Sequence, residues 1–208
     1  TVINNCWTIR DVIRNDYKLS VYSYEIAEIL ENYKNYKPSH NMFDYDDLLY
    51  LTKFLLENVE AVRSALDKRF KYISCDEYQD TNIIQDAILS LLSQDYCNLA
   101  VVGDDNQSIY KFRGANIDNI LTFEQRYAGC KKVVLFENYR STQEVLDVSN
   151  AVMAHAKEGI PKTLHGQSNG VKPSVIFVDD AMDEAERIAS MIRQCQMAGA
   201  NLRDIAVI

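Results

Sequence analysis

The stretch YISCDEYQDTN, residues 72–82, decides the fold. A short apolar run is followed at once by two adjacent carboxylates, Asp76 and Glu77, and then by Gln79 and a further acid, Asp80. That order places charged side chains at the carboxyl end of a buried strand, where open α/β sheets bind ligands. A carboxylate pair there suits metal-assisted phosphoryl chemistry. Mg²⁺ takes oxygen ligands, keeps several waters, and is commonly held by one or two carboxylates plus substrate phosphates. In that arrangement Asp76 holds the ion through its water shell, and Glu77 orients and deprotonates an attacking water. The same dipeptide also fits a solvated acidic turn, so the neighbouring segments must decide between the two.

Working outward, short apolar runs alternate with amphipathic stretches, the habit of a parallel sheet with helices on its faces. The pattern predicts strands over 72–75, 99–103, 133–137, 174–178 and 204–208. Ile84, Ala87, Ile88, Leu91 and Leu92 form one helical face between the first two. Ser141 and Glu144 read as a capping box that opens a helix carrying Val145, Ser149, Val152 and Met153. A last helix carries Ala185, Ile188, Ala189, Ile192 and Cys195 on one side. Upstream, Ile26, Ile29, Leu30 and Tyr33 keep helical spacing, as do Leu48, Leu51, Leu55, Val59, Val62 and Leu66, and both stripes read as core. Between them NYKNYKPSHN (32–41) predicts a connection, and the Gly- and Pro-rich segment 157–173 predicts a loop.

The chain has 208 residues, 47% of them hydrophobic, enough for one substantial core or two smaller ones. No apolar run approaches the ~18 residues of a membrane span, and the N-terminal residues lack signal-peptide order, so the expected location is the cytoplasm, with no membrane partner. Cys6, Cys75, Cys97, Cys130 and Cys195 are scattered, without a C-x-x-C pair, which favours reduced thiols over a disulfide framework or a zinc site. The net charge of −8 by itself argues against a nucleic-acid partner, since phosphate binding leaves a basic footprint.

Two further segments outweigh that objection. VVGDDNQSIYKFRGA (101–115) combines a Gly turn, an amide, two aromatics and two cations after the second predicted strand, and ENYRST (137–142) sits at a strand-to-helix junction. Together with DEYQDTN they closely resemble motifs II, III and IV of the UvrD/PcrA/Rep family of superfamily 1 DNA helicases. FDYDDLL (43–49) resembles the segment preceding motif II. The resemblance runs from about residue 24 to 208 with order and spacing kept. It implies a RecA-like parallel sheet with flanking helices, preceded by a helical segment. Residues 1–70 would belong to the helical insertion of the first helicase domain, 71–136 to part of the first RecA-like domain, and 137–208 to the start of the second.

The resemblance also implies roles. Asp76 and Glu77 are similar to the Mg²⁺-coordinating acid and the catalytic base of ATP hydrolysis. Gln107 resembles the glutamine that senses the γ-phosphate, a task suited to an amide that can donate without adding charge. Arg140 resembles the arginine that reaches the γ-phosphate from the second domain, and Tyr139 the residue that stacks on adenine. On the DNA side, Tyr110 and Phe112 alternate with Lys111 and Arg113, suited to stacking bases and holding phosphates. Family members often carry Trp where Phe112 stands. Tyr45 matches another base-stacking aromatic.

The family also needs a G-x-x-x-x-G-K-[ST] loop, and none of the seven glycines sits in that pattern. The chain is therefore expected to be a segment of a larger ATP-dependent DNA helicase, inactive when isolated. A helicase-like DNA-binding module without ATPase function is the alternative. VIFVDDAMDEAERI (175–188) also has the strand-then-acids form of a phosphoacceptor receiver, although the later acid and lysine of a receiver are missing.

Overall fold

The computed structural model describes residues 17–94 and 98–208. Cys6, Cys97 and the first sixteen residues of the expected helical segment lie outside them. The chain divides into two compact units, one of residues 1–135 with 153–163 and the other of 136–152 with 164–208.

In the first unit, α1 (Ser23–Ser39), α2 (Tyr45–Asn58) and α3 (Glu60–Arg69) precede β1 (Ile73–Cys75), followed by α4 (Ile83–Leu92), β2 (Leu99–Val101) and the short helices α5 (Asp118–Leu121) and α6 (Phe123–Arg126). β1 and β2 pair in parallel, with Ile73 opposite Leu99 and Cys75 opposite Val101. The Val102 N–H donates to Cys75 O and the Tyr78 N–H to Val102 O, carrying the pairing past both strands. α2 packs chiefly on α4, over Leu56 and Ile84, which are fully buried together with Tyr78.

Two capping boxes fix helix starts. Asp44 and Asp47 bond reciprocally at α2, and Asn82 and Gln85 do the same at α4. The expected connection at 32–41 is instead helical to Ser39, with Pro38 inside the last turn. Beyond it, the His40 N–H donates to Lys37 O and the Asn41 N–H to Pro38 O, so the final carbonyls are satisfied without another turn. The Lys37 ammonium then bonds Asp44 at 2.9 Å and Asp47 at 2.7 Å, tying α1 to the start of α2. Neither stripe expected to be core is buried as such: Ile29 and Tyr33 of α1 are exposed, and the stripe on α2 is rotated. Leu48, Leu51 and Leu55 are exposed and Leu56 is buried, because α2 turns the adjacent face, through Leu49 and Leu56, toward α4.

Tyr78 is held inside by polar bonds as well as packing. Its hydroxyl donates to Asp86, Arg126 bonds both Asp86 and the Tyr78 oxygen, and the Phe123 ring meets it edge-on at 5.6 Å. Burial, then the bond to Asp86, pushes the Tyr78 hydroxyl pKa well above its ordinary value.

In the second unit, β3 (Glu137–Asn138) pairs in parallel with β4 (His165–Gly166), and α7 (Gln143–Met153) and α8 (Ala181–Met197) complete it. Asn150 clasps residue 164 through both its amide atoms, and Gln143 Oε1 accepts the Gly166 N–H. The expected capping box is not the arrangement found. The Ser141 N–H donates to Asn138 Oδ1, and the Glu144 carboxylate accepts the Gly170 N–H, so it also fastens the 165–170 segment. Of the expected strands, 133–136, 174–178 and 205–208 hold no ladder. An apolar β-branched run becomes a strand only when a second backbone satisfies its N–H and C=O groups; the first run meets one only at its end, where Phe136 O accepts the His165 N–H at 2.8 Å. Asp180 of the receiver-like segment caps α8, accepting the Met182 and Asp183 N–H groups, which accounts for that acid without phosphoacceptor chemistry. No described helix is long and apolar enough to cross a membrane.

Candidate functional site

The two parallel strands end at one edge, and the residues that follow them meet there. After β1 come Asp76 and Glu77, both exposed; after β2 come Gly103 and the 3-10 turn Asp105–Gln107. Glu77 adopts a left-handed backbone, φ 51° and ψ 40°, which turns the chain sharply out of the strand. For a residue with a Cβ that conformation costs about 1–2 kcal/mol, strain of the sort concentrated at functional positions. Asp76 Oδ1 steadies the turn by accepting the Glu77 N–H at 2.9 Å.

Gln79, buried at 1% exposure, connects the two strand ends. Its Nε2 donates to Glu77 Oε2 at 2.8 Å, and its Oε1 accepts the Asp104 N–H at 3.0 Å. The Asp104 carboxylate in turn accepts from Gln107 Nε2 at 2.8 Å. A hydrogen-bonded path thus runs from Glu77 through Gln79 and Asp104 to Gln107. The sequence singles out its two ends, Glu77 and Gln107, and misses the connectors. The signal available for Gln79 was its place inside the same motif. Nothing in local sequence marks Lys162, which bonds Asp104 at 2.6 Å. Burial raises the Asp104 pKa, but Lys162 and Gln107 outweigh it and hold the carboxyl below its ordinary value.

Asp76 and Glu77 open on a cleft of about 410 Å³ that is also lined by Leu49, Cys75 and Asp80. Asp80 Oδ1 is buried there without a hydrogen-bond partner. Burial, then Asp76 and Asp86, pushes the Cys75 thiol pKa up. Among the described residues no cluster of three or more His, Cys, Asp or Glu forms a metal cage. The oxygen donors of Asp76 and Glu77 at an open edge nevertheless fit Mg²⁺, which needs only one or two carboxylates when phosphates and waters complete its shell.

The aromatic and basic residues of 110–113 form a single 3-10 turn, Lys111–Arg113, closed by Gly114 at φ 94°. Phe112 is 72% exposed and Tyr110 39%, with ring centroids 5.9 Å apart. The Arg113 guanidinium lies 5.3 Å from the Tyr110 ring and 5.6 Å from Phe112, so it braces both aromatics rather than pairing with an acid. Lys111 is exposed. Tyr45, the first residue of α2, is 88% exposed, so it does not pack under the helix start.

In the second unit, Tyr139 and Arg140 follow β3 and are both exposed, Tyr139 at 79%. Asn138 Oδ1 shapes their turn by accepting the Arg140 N–H at 2.9 Å and the Ser141 N–H at 2.7 Å.

Comparison with known proteins gives the family of the chain. The UvrD/REP helicase N-terminal domain model matches residues 6–128, and the UvrD-like helicase C-terminal domain model matches residues 133–208. The ATP-dependent DNA helicase PcrA of Leuconostoc citreum is 43% identical over 171 residues, 81% of this chain and 23% of that protein. PcrA of Staphylococcus epidermidis is 37% identical over 188 residues, 90% of this chain and 26% of that protein. The chain spans about a quarter of the length of these relatives.

Proposed function

Because this chain belongs to the UvrD/REP helicase family, we propose that it forms part of a cytoplasmic ATP-driven motor that moves 3′ to 5′ on single-stranded DNA and unwinds duplex DNA. The observation that carries the reading is the path from Glu77 through Gln79 and Asp104 to Gln107 at the carboxyl edge of β1 and β2.

Asp76 and Glu77 are the residues that would hold Mg²⁺, which when bound neutralises phosphate charge. Glu77 takes the proton of the attacking water through the carboxylate that Gln79 orients. Gln107 donates its amide to the terminal phosphate and reports that contact back along the path. Arg140 offers a planar guanidinium to phosphate and Tyr139 a face for adenine. Tyr45, Tyr110 and Phe112 offer faces to bases, Arg113 holds Tyr110 and Phe112 rigid, and Lys111 meets phosphate.

The test is ATP turnover by the full-length protein with and without single-stranded DNA, beside Glu77→Gln. The motor reading expects DNA to raise turnover many-fold and Glu77→Gln to abolish it while ATP still binds. DNA binding without any turnover would establish the helicase-like binding module instead. The 208-residue chain alone, with no G-x-x-x-x-G-K-[ST] pattern in it, is expected to show no DNA-dependent turnover.

A further inference from the structure

Lys162 lies in the segment that the sequence marks only as a loop, yet its side chain is 11% exposed. Its ammonium donates to Asp104 Oδ1 at 2.6 Å and also to Asp105 Oδ1. Asp105 is buried, its side chain 2% exposed, and its other oxygen accepts the Ile160 N–H at 2.7 Å. Gly159, at φ +138°, lets the chain come this close, because a Cβ there would stand 2.7 Å from Asp105 Oδ2. The segment 159–162 is thus moulded onto the acid pair that opens the Asp105–Gln107 turn.

The bond to Asp105 would suffice to fasten the segment. The second bond reaches further. Asp104 takes Lys162 and the Asn106 N–H on one carboxylate oxygen and Gln107 Nε2 on the other, so Lys162 and Gln107 share one carboxylate. Lys162 thus fixes the carboxylate from which both the Asn106 N–H and the Gln107 amide hang.

We propose that Lys162 is a positioning residue for Gln107, acting through Asp104 to set where the amide rests. The assignment rests on the reading that Gln107 acts on nucleotide. Lys162 itself touches no reacting atom.

The test uses the full-length protein with Lys162→Met, which keeps the stem and removes the charge, and Lys162→Arg, which keeps the charge. In Lys162→Met the backbone amides of Asn106 and Gln107 are expected to exchange hydrogen about tenfold faster, while those of β1 and β2 do not change. The kcat of DNA-stimulated ATP hydrolysis should fall about tenfold or more, as when a reacting group is misplaced by part of an ångström, with KM for ATP within about twofold. Lys162→Arg should recover most of that loss. Because Lys162→Met leaves the buried Asp105 charge uncompensated, Lys162→Met/Asp105→Asn serves as the variant that relieves it. It should show the same kcat loss. Unchanged exchange at Asn106 and Gln107 would overturn the proposal, as would a kcat loss that disappears in the double variant, since Lys162 would then serve only the burial of Asp105. Normal wild-type turnover with unaltered variants overturns the positioning role alone, whereas a wild type without DNA-stimulated turnover overturns the motor and, with it, the assignment built on it.

Discussion

Gly103 and Gln79 approach so closely that a Cβ on residue 103 would lie 2.5 Å from Gln79 Oε1 and 3.2 Å from the Tyr78 nitrogen. The absence of that one carbon lets Gln79 bond the Asp104 N–H while its other end reaches Glu77. Gly103→Ala must push Gln79 aside, which breaks the path between Glu77 and Gln107. Overpacking of this kind costs about 1–3 kcal/mol. The expected outcome is a lower melting temperature together with a DNA-stimulated kcat reduced by more than the loss of folded protein explains. Turnover and melting measured on the same preparation check it.

A second prediction concerns the left-handed backbone of Glu77. Glu77→Ala and Glu77→Gly both remove the carboxylate, so both should stop hydrolysis. They differ in that alanine keeps the Cβ that makes φ 51° costly and glycine does not. Glu77→Gly should therefore be the more stable of the two by about 1 kcal/mol. Denaturant melts of the pair measure the difference, and equal stabilities would show that no strain is stored there.

These two sites also show which features were legible in the sequence. Glu77 was readable as an acid directly after a short apolar run, and Gln107 through the resemblance of the segment 101–115 to a helicase motif. Gln79 and Lys162 were not, since their roles come from bonds across 25 and 58 positions that only the folded chain brings together. Periodicity found α2 but misjudged its inward side by one position, placing Leu55 rather than Leu56 in the core. The choice between adjacent faces is made by what packs against the helix, here α4. The runs at 174–178 and 205–208 have the composition of strands but form no ladder, and composition alone does not supply a partner backbone.

The joint between α1 and α2 gives a pH dependence. Burial works to raise the Asp44 pKa, but Lys37, the Asp47 N–H and the Tyr33 hydroxyl outweigh it and hold the carboxyl at about 2. A carboxyl lowered on folding contributes stability that is fully present above its unfolded pKa of ~4 and is lost as pH falls toward 2. Asp44→Asn lacks that titration. The stability difference between wild type and Asp44→Asn should therefore be level above pH ~4 and shrink on acidification. Melting curves across that range check it, and a difference that stays constant down to the lowest pH would show that Asp44 gains nothing from Lys37.

The DNA contacts yield the prediction most exposed to failure. Phe112, 72% exposed and braced by Arg113, makes few contacts that folding depends on, so Phe112→Ala should leave the melting temperature almost unchanged. Loss of one stacked base costs ~1–3 kcal/mol, which corresponds to roughly a ten- to hundredfold weaker affinity for single-stranded DNA in the full-length protein. Arg113→Ala should weaken binding in the same direction, because it frees the Tyr110 and Phe112 rings to turn away from each other. Lys111→Ala should instead reduce the slope of affinity against salt by about one phosphate contact and affect all sequences alike. Titrations of the three variants at several salt concentrations separate the roles. An unchanged affinity for Phe112→Ala would remove the ring from the DNA surface, and a lowered melting temperature would return it to the fold.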